Sequence, residues 1–477
     1  MQEDEPVGGL FGPLFARGSA AAEIDDNAWI VAMVQAEAAL ARTHARLGTI
    51  PAAEAEVIDR ACVAEHLDPA ELARHSTTGG NPVIPLVHRL REILTEWGHG
   101  SAASLVHLGA TSQDIVDTAM MLVARRACAA IRSELAELTH QLATLAAAHR
   151  TTPMVGRTLL QQALPTTFGA VVASWLHGLD SSGHRLEQVA SQRLAVQLGG
   201  AVGTLSAFDA PGPQMLTVYA AELGLTAPDL PWHTERSRIA ELAAALGGIA
   251  GSVGTVARDV TLLAQTELGE LSEHGDGTTG GSSTMPHKHN PIAAVTALAC
   301  AQQTPGIVST LFNTMVQEHQ RAAGAWHAEW MPVRELLSRT GSAVTWLRTC
   351  VERLRVNESN MRANLDRLGG VLLAERVSAD LAGDLGRERA HELVRTACTT
   401  VTERPDTDLV AELHTRVEGI RSRDHLARLL DPTDYLGSAG AFTDRALATH
   451  RAAGSAGSNE HIPRATDSAA EADTERS

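Results

Sequence analysis

One segment of the chain, GGSSTMPHKHNP at Gly280–Pro291, concentrates residues that could do chemistry. Its glycines leave backbone N–H groups free to bind an anion or to stabilise a developing negative charge. Ser282 could serve as a base, but a serine hydroxyl needs a neighbouring cation to ionise. Lys288, the only lysine in the chain, can supply that charge, and Asn290 adds an amide for a carboxylate oxygen. The segment predicts a serine that acts as a base beside a bound carboxylate.

The composition predicts a mostly helical protein that acts on a small molecule. The 477 residues are 44% hydrophobic but only 3% aromatic, and alanine and leucine, both strong helix formers, dominate. The formal net charge of -17 disfavours a nucleic-acid partner, which needs a basic surface. It leaves room for an anionic substrate, because a few arginines focused in a cleft can outweigh the global charge.

Cysteine, histidine and apolar patterns argue against disulfides, metals and membranes. The five cysteines are widely spaced and make no CxxC pair, as expected of free thiols in a reducing cytoplasm. No HxxH, HExxH or carboxylate cluster has metal-ligand spacing, so we expect neither a metal nor a cofactor. The N-terminus is acidic and does not resemble a signal peptide. The most apolar stretch, Leu242–Ala257, is short and rich in glycine and alanine, which favours an internal helix over a membrane span.

The elements that must position these residues are long helices. Helical spacing begins at Asp26–Leu47, with Asp25 and Asp26 as candidate caps, and Gly79–Pro82 predicts a rigid loop that enters a helix. Five long segments follow, at Asp114–His149, Pro165–Gln197, Arg236–Glu270, Pro291–His319 and Pro332–Arg355. We therefore predict an all-α fold with a central long-helix bundle. The predicted domains are residues 1–112, 113–365 and 366–450, followed by a disordered tail at 451–477.

The segment GSSTMPHKHNP resembles the signature of the fumarase/aspartase superfamily, GSSxMPxKxNP. The resemblance implies a mobile loop over the active site. In that loop Ser282 is the base that forms a carbanion stabilised as an aci-carboxylate. It also implies that Lys288 and Asn290 bind a substrate carboxylate.

Two further regions resemble family signatures. In HLGATSQDIVDT, at His107–Thr118, the resemblance implies that Thr111 and Ser112 contact substrate. The same TSQD pattern is typical of a helix N-cap, and both functions can hold because a helix N-terminus is an anion site. In GRTLLQQALPTTFG, at Gly156–Gly169, it implies that Thr158 and Gln161 line the pocket.

A subgroup of the family matches further. Leu159 stands where argininosuccinate-cleaving, adenylosuccinate-cleaving and fumarate-hydrating members have a histidine, so we do not expect those activities. The chain instead resembles the 3-carboxy-cis,cis-muconate cycloisomerases in GGNPVIPLV, PWHTER and QEHQRAAGAWHAEW. These phrases add Asn81, Arg236 and Arg321 as candidate substrate-binding residues. Arginine suits the task because its planar fork binds a carboxylate through two hydrogen bonds.

Two departures leave the substrate open. His289 replaces an arginine that is usual in the subgroup, and Met331 replaces an acidic or small polar residue. Fewer cations would suit a dicarboxylate better than the tricarboxylate of a cycloisomerase, although neutral drift explains His289 equally well. The alternative is therefore an enzyme that eliminates from a substituted succinate and releases fumarate, such as a nitrosuccinate lyase. A non-catalytic, crystallin-like protein is the alternative from another class.

The resemblance also implies an assembly. Family members are homotetramers in which three subunits contribute to each active site. The long Ala- and Gly-rich helices agree with such a multi-helix core, because small side chains let helices approach closely. We therefore expect a homotetramer with shared sites, located in the cytoplasm.

Overall fold

The computed structural model describes residues 9–208, 212–274, 280–281, 285, 288–404, 407–417 and 419–457. Its contacts divide the chain into two compact units. The first comprises Met1–Gln141 and Gly178–Asn357, and the second Leu142–His177 and Glu358–Ser477.

Helices make up most of the described chain, which confirms the predicted all-α class. In chain order they are α1 (Gly12–Phe15), α2 (Ser19–Ala22), α3 (Asp26–Arg46), α4 (Ala52–Ala61), α5 (Pro69–Gly79), α6 (Val83–Glu96), α7 (Gly100–Leu105), α8 (Ser112–Ala148), α9 (Phe168–Gln192), α10 (Gly212–Leu223), α11 (Ser237–Leu263), α12 (Ile292–Asn313), α13 (His327–Arg353), α14 (Glu358–Asp366), α15 (Ala374–Leu385), α16 (Arg387–Glu403), α17 (Leu409–Arg416), α18 (Arg423–Leu429) and α19 (Ala439–Gly457). The strands are β1 (Pro153–Thr158), β2 (Gln161–Thr167), β3 (Leu271–Glu273) and β4 (Leu354–Val356). They pair as two separate antiparallel ribbons, β1 with β2 and β3 with β4.

Helix ends follow the capping residues. The Asp25 carboxylate accepts a hydrogen bond from Ala28 N at 2.7 Å and caps α3, as predicted. Helix α5 ends at Gly79, and Gly80 follows in the left-handed conformation with φ 71°. The predicted loop at Gly79–Pro82 therefore joins α5 to α6. Capping fixes these boundaries because it satisfies backbone groups that the helix itself leaves unpaired.

The core of the first unit is built from long helices. Helices α11, α12 and α13 pack against one another, and α8 buries an apolar series from Ile115 to Ile131. Helix α11 is long and apolar enough to cross a membrane by composition, with a mean hydropathy of 1.5 in its most apolar part. That part is 56% buried within the protein, and its Ala and Gly residues permit close helix packing.

Several of the predicted helix boundaries differ from the structure, and two helix starts differ by three residues or more. The helix expected from Pro165 begins at Phe168, because Gln161–Thr167 pairs with β1 as a strand. The helix expected from Pro332 begins at His327, which leaves Pro332 inside α13. The preceding turn is held helical by packing among the Trp326, His327 and Trp330 rings.

The second unit has its own apolar core, formed mainly by α15–α18. Its buried residues include Val377, Leu381, Val394, Leu413 and Leu426. The last helix, α19, continues to Gly457. The rest of the predicted C-terminal tail lies outside the described residues.

Candidate functional site

The first signature folds as the N-terminus of α8. Asp114 accepts a hydrogen bond from Thr111 N at 3.0 Å, and Asp114 N donates to Thr111 O at 2.9 Å, which closes the first turn like a capping box. The fully buried Asp114 carboxylate also accepts from Gly199 N and Gly200 N, both at 2.9 Å. Thr111 and Ser112 are therefore fixed in place at a helix N-terminus, where an anion is favoured.

Arg321 reaches this N-terminus from the loop between α12 and α13. Its Nη1 donates to Thr111 Oγ1 at 2.6 Å, and its Nε donates to Gln113 Oε1 at 3.4 Å. The side chain is partly exposed, and Nη2 bonds to no residue in the part of the chain that the structure describes. The structure thus brings together two predicted substrate-binding residues, Thr111 and Arg321, with part of the guanidinium still open.

Arg236 lies in the core of the same unit. Its side chain is 0% exposed and bonds to Asp117 through Nη1 at 2.8 Å and to Glu329 through Nη2 at 2.6 Å. Burial disfavours the charged guanidinium, but the two carboxylates outweigh that cost and raise the Arg236 pKa. All three guanidinium nitrogens donate to carboxylates of the protein, so Arg236 stabilises the core of this unit.

Asn81 also has local partners. Its Oδ1 accepts from Val83 N at 3.1 Å and from Ile84 N at 3.4 Å, and its Nδ2 donates to Gly79 O at 3.2 Å. The side chain is 8% exposed and caps the start of α6. These bonds give Asn81 a structural role that does not require contact with a substrate.

The signature loop is closed at its base. Asn290 donates to Gly280 O through its backbone N at 2.9 Å and through Nδ2 at 3.1 Å, and Gly281 forms a β-bridge with His289. A side chain at Gly280 would meet Asn290 O at 2.5 Å, so glycine is required there. Lys288 and His289 are exposed. Ser282, the predicted base, lies outside the described residues.

A buried carboxylate anchors the helix that follows the loop. Glu273 accepts from Ala293 N at 3.1 Å and from Ala294 N at 3.3 Å, which caps α12. Burial raises the pKa of Glu273, although these backbone bonds favour its charged form. Sequence reasoning missed this residue, because its partners lie about twenty positions away across the loop.

The second signature forms a β-hairpin in the second unit. Thr158 pairs with Gln161 at the end of the β1–β2 ribbon, and both side chains are exposed. Leu159 and Leu160 form the turn with φ values of 52° and 65°, and they are 96% and 74% exposed. Two bulky apolar residues in the left-handed region are strained backbone of the kind that clusters at functional sites.

His107, the first residue of the first signature, was not assigned a role from sequence. Its backbone has φ 63°, and its Nδ1 lies 2.6 Å from Glu37 Oε1. Burial lowers the pKa of His107, but the Glu37 carboxylate outweighs burial and raises it. The signal that could have found this pair is the position of His107 inside a matched motif.

The described residues show no cluster of metal ligands. Within these ranges, no group of three or more His, Cys, Asp or Glu side chains could hold a metal ion. The cysteines are free, and burial raises the pKa of Cys128 and Cys300 to about 12. Such thiols stay protonated and unreactive at neutral pH.

Comparison with known proteins covers nearly the whole chain. A family model described as "Lyase" matches residues 16–306, and one described as "Adenylosuccinate lyase C-terminus" matches residues 370–446. The 3-carboxy-cis,cis-muconate cycloisomerase of Pseudomonas aeruginosa is 44% identical over 94% of this chain and 98% of its own. The nitrosuccinate lyase of Streptomyces davaonensis is 42% identical over 92% of this chain and 94% of its own.

A solved structure agrees with these matches. The 3-carboxy-cis,cis-muconate lactonizing enzyme from Pseudomonas putida superposes with a TM-score of 0.88 at 39% identity, covering 93% of this chain and 99% of that one. The family models, the relatives and the fold therefore indicate the same enzyme family. The chain is an enzyme of the fumarase/aspartase superfamily, in the part of that superfamily that includes the 3-carboxy-cis,cis-muconate cycloisomerases.

Proposed function

We propose that the enzyme interconverts 3-carboxy-cis,cis-muconate and its lactone by serine-base carbanion chemistry. The observation that carries the proposal is the open guanidinium of Arg321, held by Thr111 at the N-terminus of α8. A fixed cation beside a helix N-terminus favours a carboxylate twice over, by charge and by the helix dipole. The relatives support the choice of reaction, since several are named cycloisomerases.

In the proposed reaction Ser282 transfers the proton, and Lys288, Asn290 and Arg321 stabilise the negative charge. In the lactone-forming direction, a substrate carboxylate oxygen adds to a carbon–carbon double bond and leaves a carbanion next to another carboxylate. That carboxylate takes up the negative charge as an aci-carboxylate, which Lys288, Asn290 and Arg321 stabilise. The carbanion then receives the Ser282 proton. In the reverse direction Ser282 removes that proton, and the lactone oxygen leaves as a carboxylate.

The second candidate is elimination from a substituted succinate, with nitrosuccinate as the substrate. Two observations favour it: the 42% identity to a nitrosuccinate lyase, and the exposed His289 where the cycloisomerase subgroup has arginine. Ser282 would remove a proton, and the carbon–nitrogen bond would break to give fumarate and nitrous acid. A non-catalytic, crystallin-like protein is not favoured, because the most similar relatives are named as enzymes.

Exposed apolar surface supports a homotetramer with shared sites. The hairpin turn at Leu159–Leu160 is nearly fully exposed, although it lies inside a matched signature. On α12, Val295 and Phe312 are almost half exposed. Such apolar surface is expected to be covered by further copies of the chain. We propose that the Thr158 and Gln161 hairpin completes a site on another subunit, in a cytoplasmic enzyme.

The two substrates can be separated in one experiment. The enzyme is incubated separately with 3-carboxy-cis,cis-muconate and with nitrosuccinate, and ultraviolet absorbance is followed with a nitrite assay. Consumption of muconate alone supports the cycloisomerase, and release of fumarate and nitrite alone supports the lyase. Turnover of neither, in a folded protein, would overturn both proposals. A Ser282→Ala variant that kept full activity would reject the serine base.

A further inference from the structure

Gln113 links the candidate substrate-binding arginine to the core of the first unit. The side chain is completely buried on the first turn of α8. Its Nε2 donates to Asp117 Oδ2 at 3.1 Å and to His233 O at 2.8 Å. Since both partners are acceptors, they fix which end of the amide is nitrogen. The carbonyl oxygen must therefore face the other way, and there it accepts from Arg321 Nε at 3.4 Å.

Asp117 holds both neighbours of Arg321. Its Oδ2 accepts from Gln113, and its Oδ1 accepts from Trp326 Nε1 at 3.0 Å. The guanidinium carbon of Arg321 lies 6.0 Å from the centre of the Trp326 ring. Asp117 is itself fixed by the buried guanidinium of Arg236 at 2.8 Å and 3.0 Å. The amide and the ring beside Arg321 thus share one rigid anchor.

The two bonds to Arg321 leave Nη2 open. Nε is engaged by Gln113 and one Nη1 hydrogen by Thr111, whereas Nη2 bonds to none of the described residues. Nη2 belongs to both edges of a guanidinium that bind a carboxylate through parallel hydrogen bonds, so an open Nη2 can bind a substrate carboxylate. A free arginine would lose rotamer entropy on binding, and a restrained one loses less.

We propose that Gln113 is a positioning residue for substrate recognition, which sets Arg321 so that its open Nη2 meets a substrate carboxylate. The inference rests on the proposed function in one respect, namely that Arg321 binds a substrate carboxylate. Gln113 itself touches no substrate in this scheme. Its effect is exerted on affinity, through the orientation and restraint of Arg321.

The test measures binding of succinate, a dicarboxylate with no leaving group, by calorimetry on the full-length enzyme. Gln113→Met keeps the side-chain length but removes the acceptor for Arg321. We expect succinate affinity to fall about tenfold, because an unrestrained Arg321 must be ordered and oriented on binding, and KM to rise while kcat changes much less. In an Arg321→Met background, the Gln113→Met change should have no further effect on affinity.

Gln197→Met is the matched control. Gln197 is equally buried in the same unit, but its amide bonds to Trp232 N at 2.8 Å and to Asp114 rather than to Arg321. It should lower the unfolding midpoint as Gln113→Met does. Unlike Gln113→Met, it should weaken succinate binding equally whether residue 321 is arginine or methionine.

A second variant covers the case in which Gln113→Met does not fold. Gln113→Glu keeps an acceptor for Arg321, and beside Asp117 it can hold a shared proton. It should retain succinate affinity within about threefold, because Arg321 stays restrained. Equal losses from Gln113→Met in both Arg321 backgrounds, or a tenfold loss in Gln113→Glu, would overturn the inference. Unchanged binding in Arg321→Met alone would instead overturn the carboxylate assignment of the proposed function.

Discussion

Replacing Arg236 by lysine tests whether this arginine stabilises the core or binds substrate. In the structure three guanidinium nitrogens contact both carboxylates, with Nε and Nη2 on Glu329 and Nη1 and Nη2 on Asp117. A lysine keeps the charge but has one compact nitrogen, which cannot engage both carboxylates bidentately. At least two charged hydrogen bonds are lost inside the core, each worth about 1.5–3 kcal/mol. We expect Arg236→Lys to lower the free energy of unfolding by about 3–6 kcal/mol.

The assay is urea unfolding at one fixed protein concentration, followed by circular dichroism, beside steady-state kinetics of the folded variant. Arg348→Lys is the matched control, because Arg348 also pairs with several carboxylates but is 24% exposed. That change should cost about 1 kcal/mol or less. An Arg236→Lys protein with an unchanged midpoint and a KM raised tenfold would refute the reasoning, since Arg236 would then act on substrate.

Three further outcomes are expected. Because Lys288 is the only lysine, an amine-acylating reagent should inactivate the enzyme by modifying that side chain, and succinate should protect it. Mass spectrometry identifies the modified residue. Full activity after complete modification would contradict a role of Lys288 in binding the substrate carboxylate. Thr111→Val removes the acceptor of Arg321 Nη1, so kcat/KM should fall about tenfold or more while the unfolding midpoint stays within a few degrees. Glu37→Gln removes the charge that raises the His107 pKa above 6.5. A histidine whose pKa is raised in the folded state stabilises the fold at pH values below its unfolded-state pKa. The difference in free energy of unfolding between wild type and Glu37→Gln should therefore be largest below pH 6.5 and should disappear at higher pH. A difference that does not depend on pH would contradict the ion pair.

The long helices could be predicted because their signals are local. Caps such as Asp25, breakers such as Gly79 and Gly80, and runs of strong helix formers all act within a few residues. The β1–β2 hairpin could not be predicted in this way. Its turn has two leucines at positive φ, where a sequence pattern would lead one to look for Asn-Gly. Its two leucines are almost fully exposed in the described chain, so neither local pattern nor burial signals this turn.

The arginines show the same limit within the candidate site. Arg236 and Arg321 both lie in phrases shared with the cycloisomerases, and from sequence they were equally good carboxylate ligands. What separates them is non-local: Arg236 meets Asp117 across 119 positions and Glu329 across 93. The two assignments depend on each other. Without Arg236, the buried Asp117 and Glu329 carboxylates would be left uncompensated. Asp117, whose partner Gln113 bonds to Arg321, would then attract that guanidinium inward, away from substrate. An arginine that never touches substrate can thus keep its neighbour available for it.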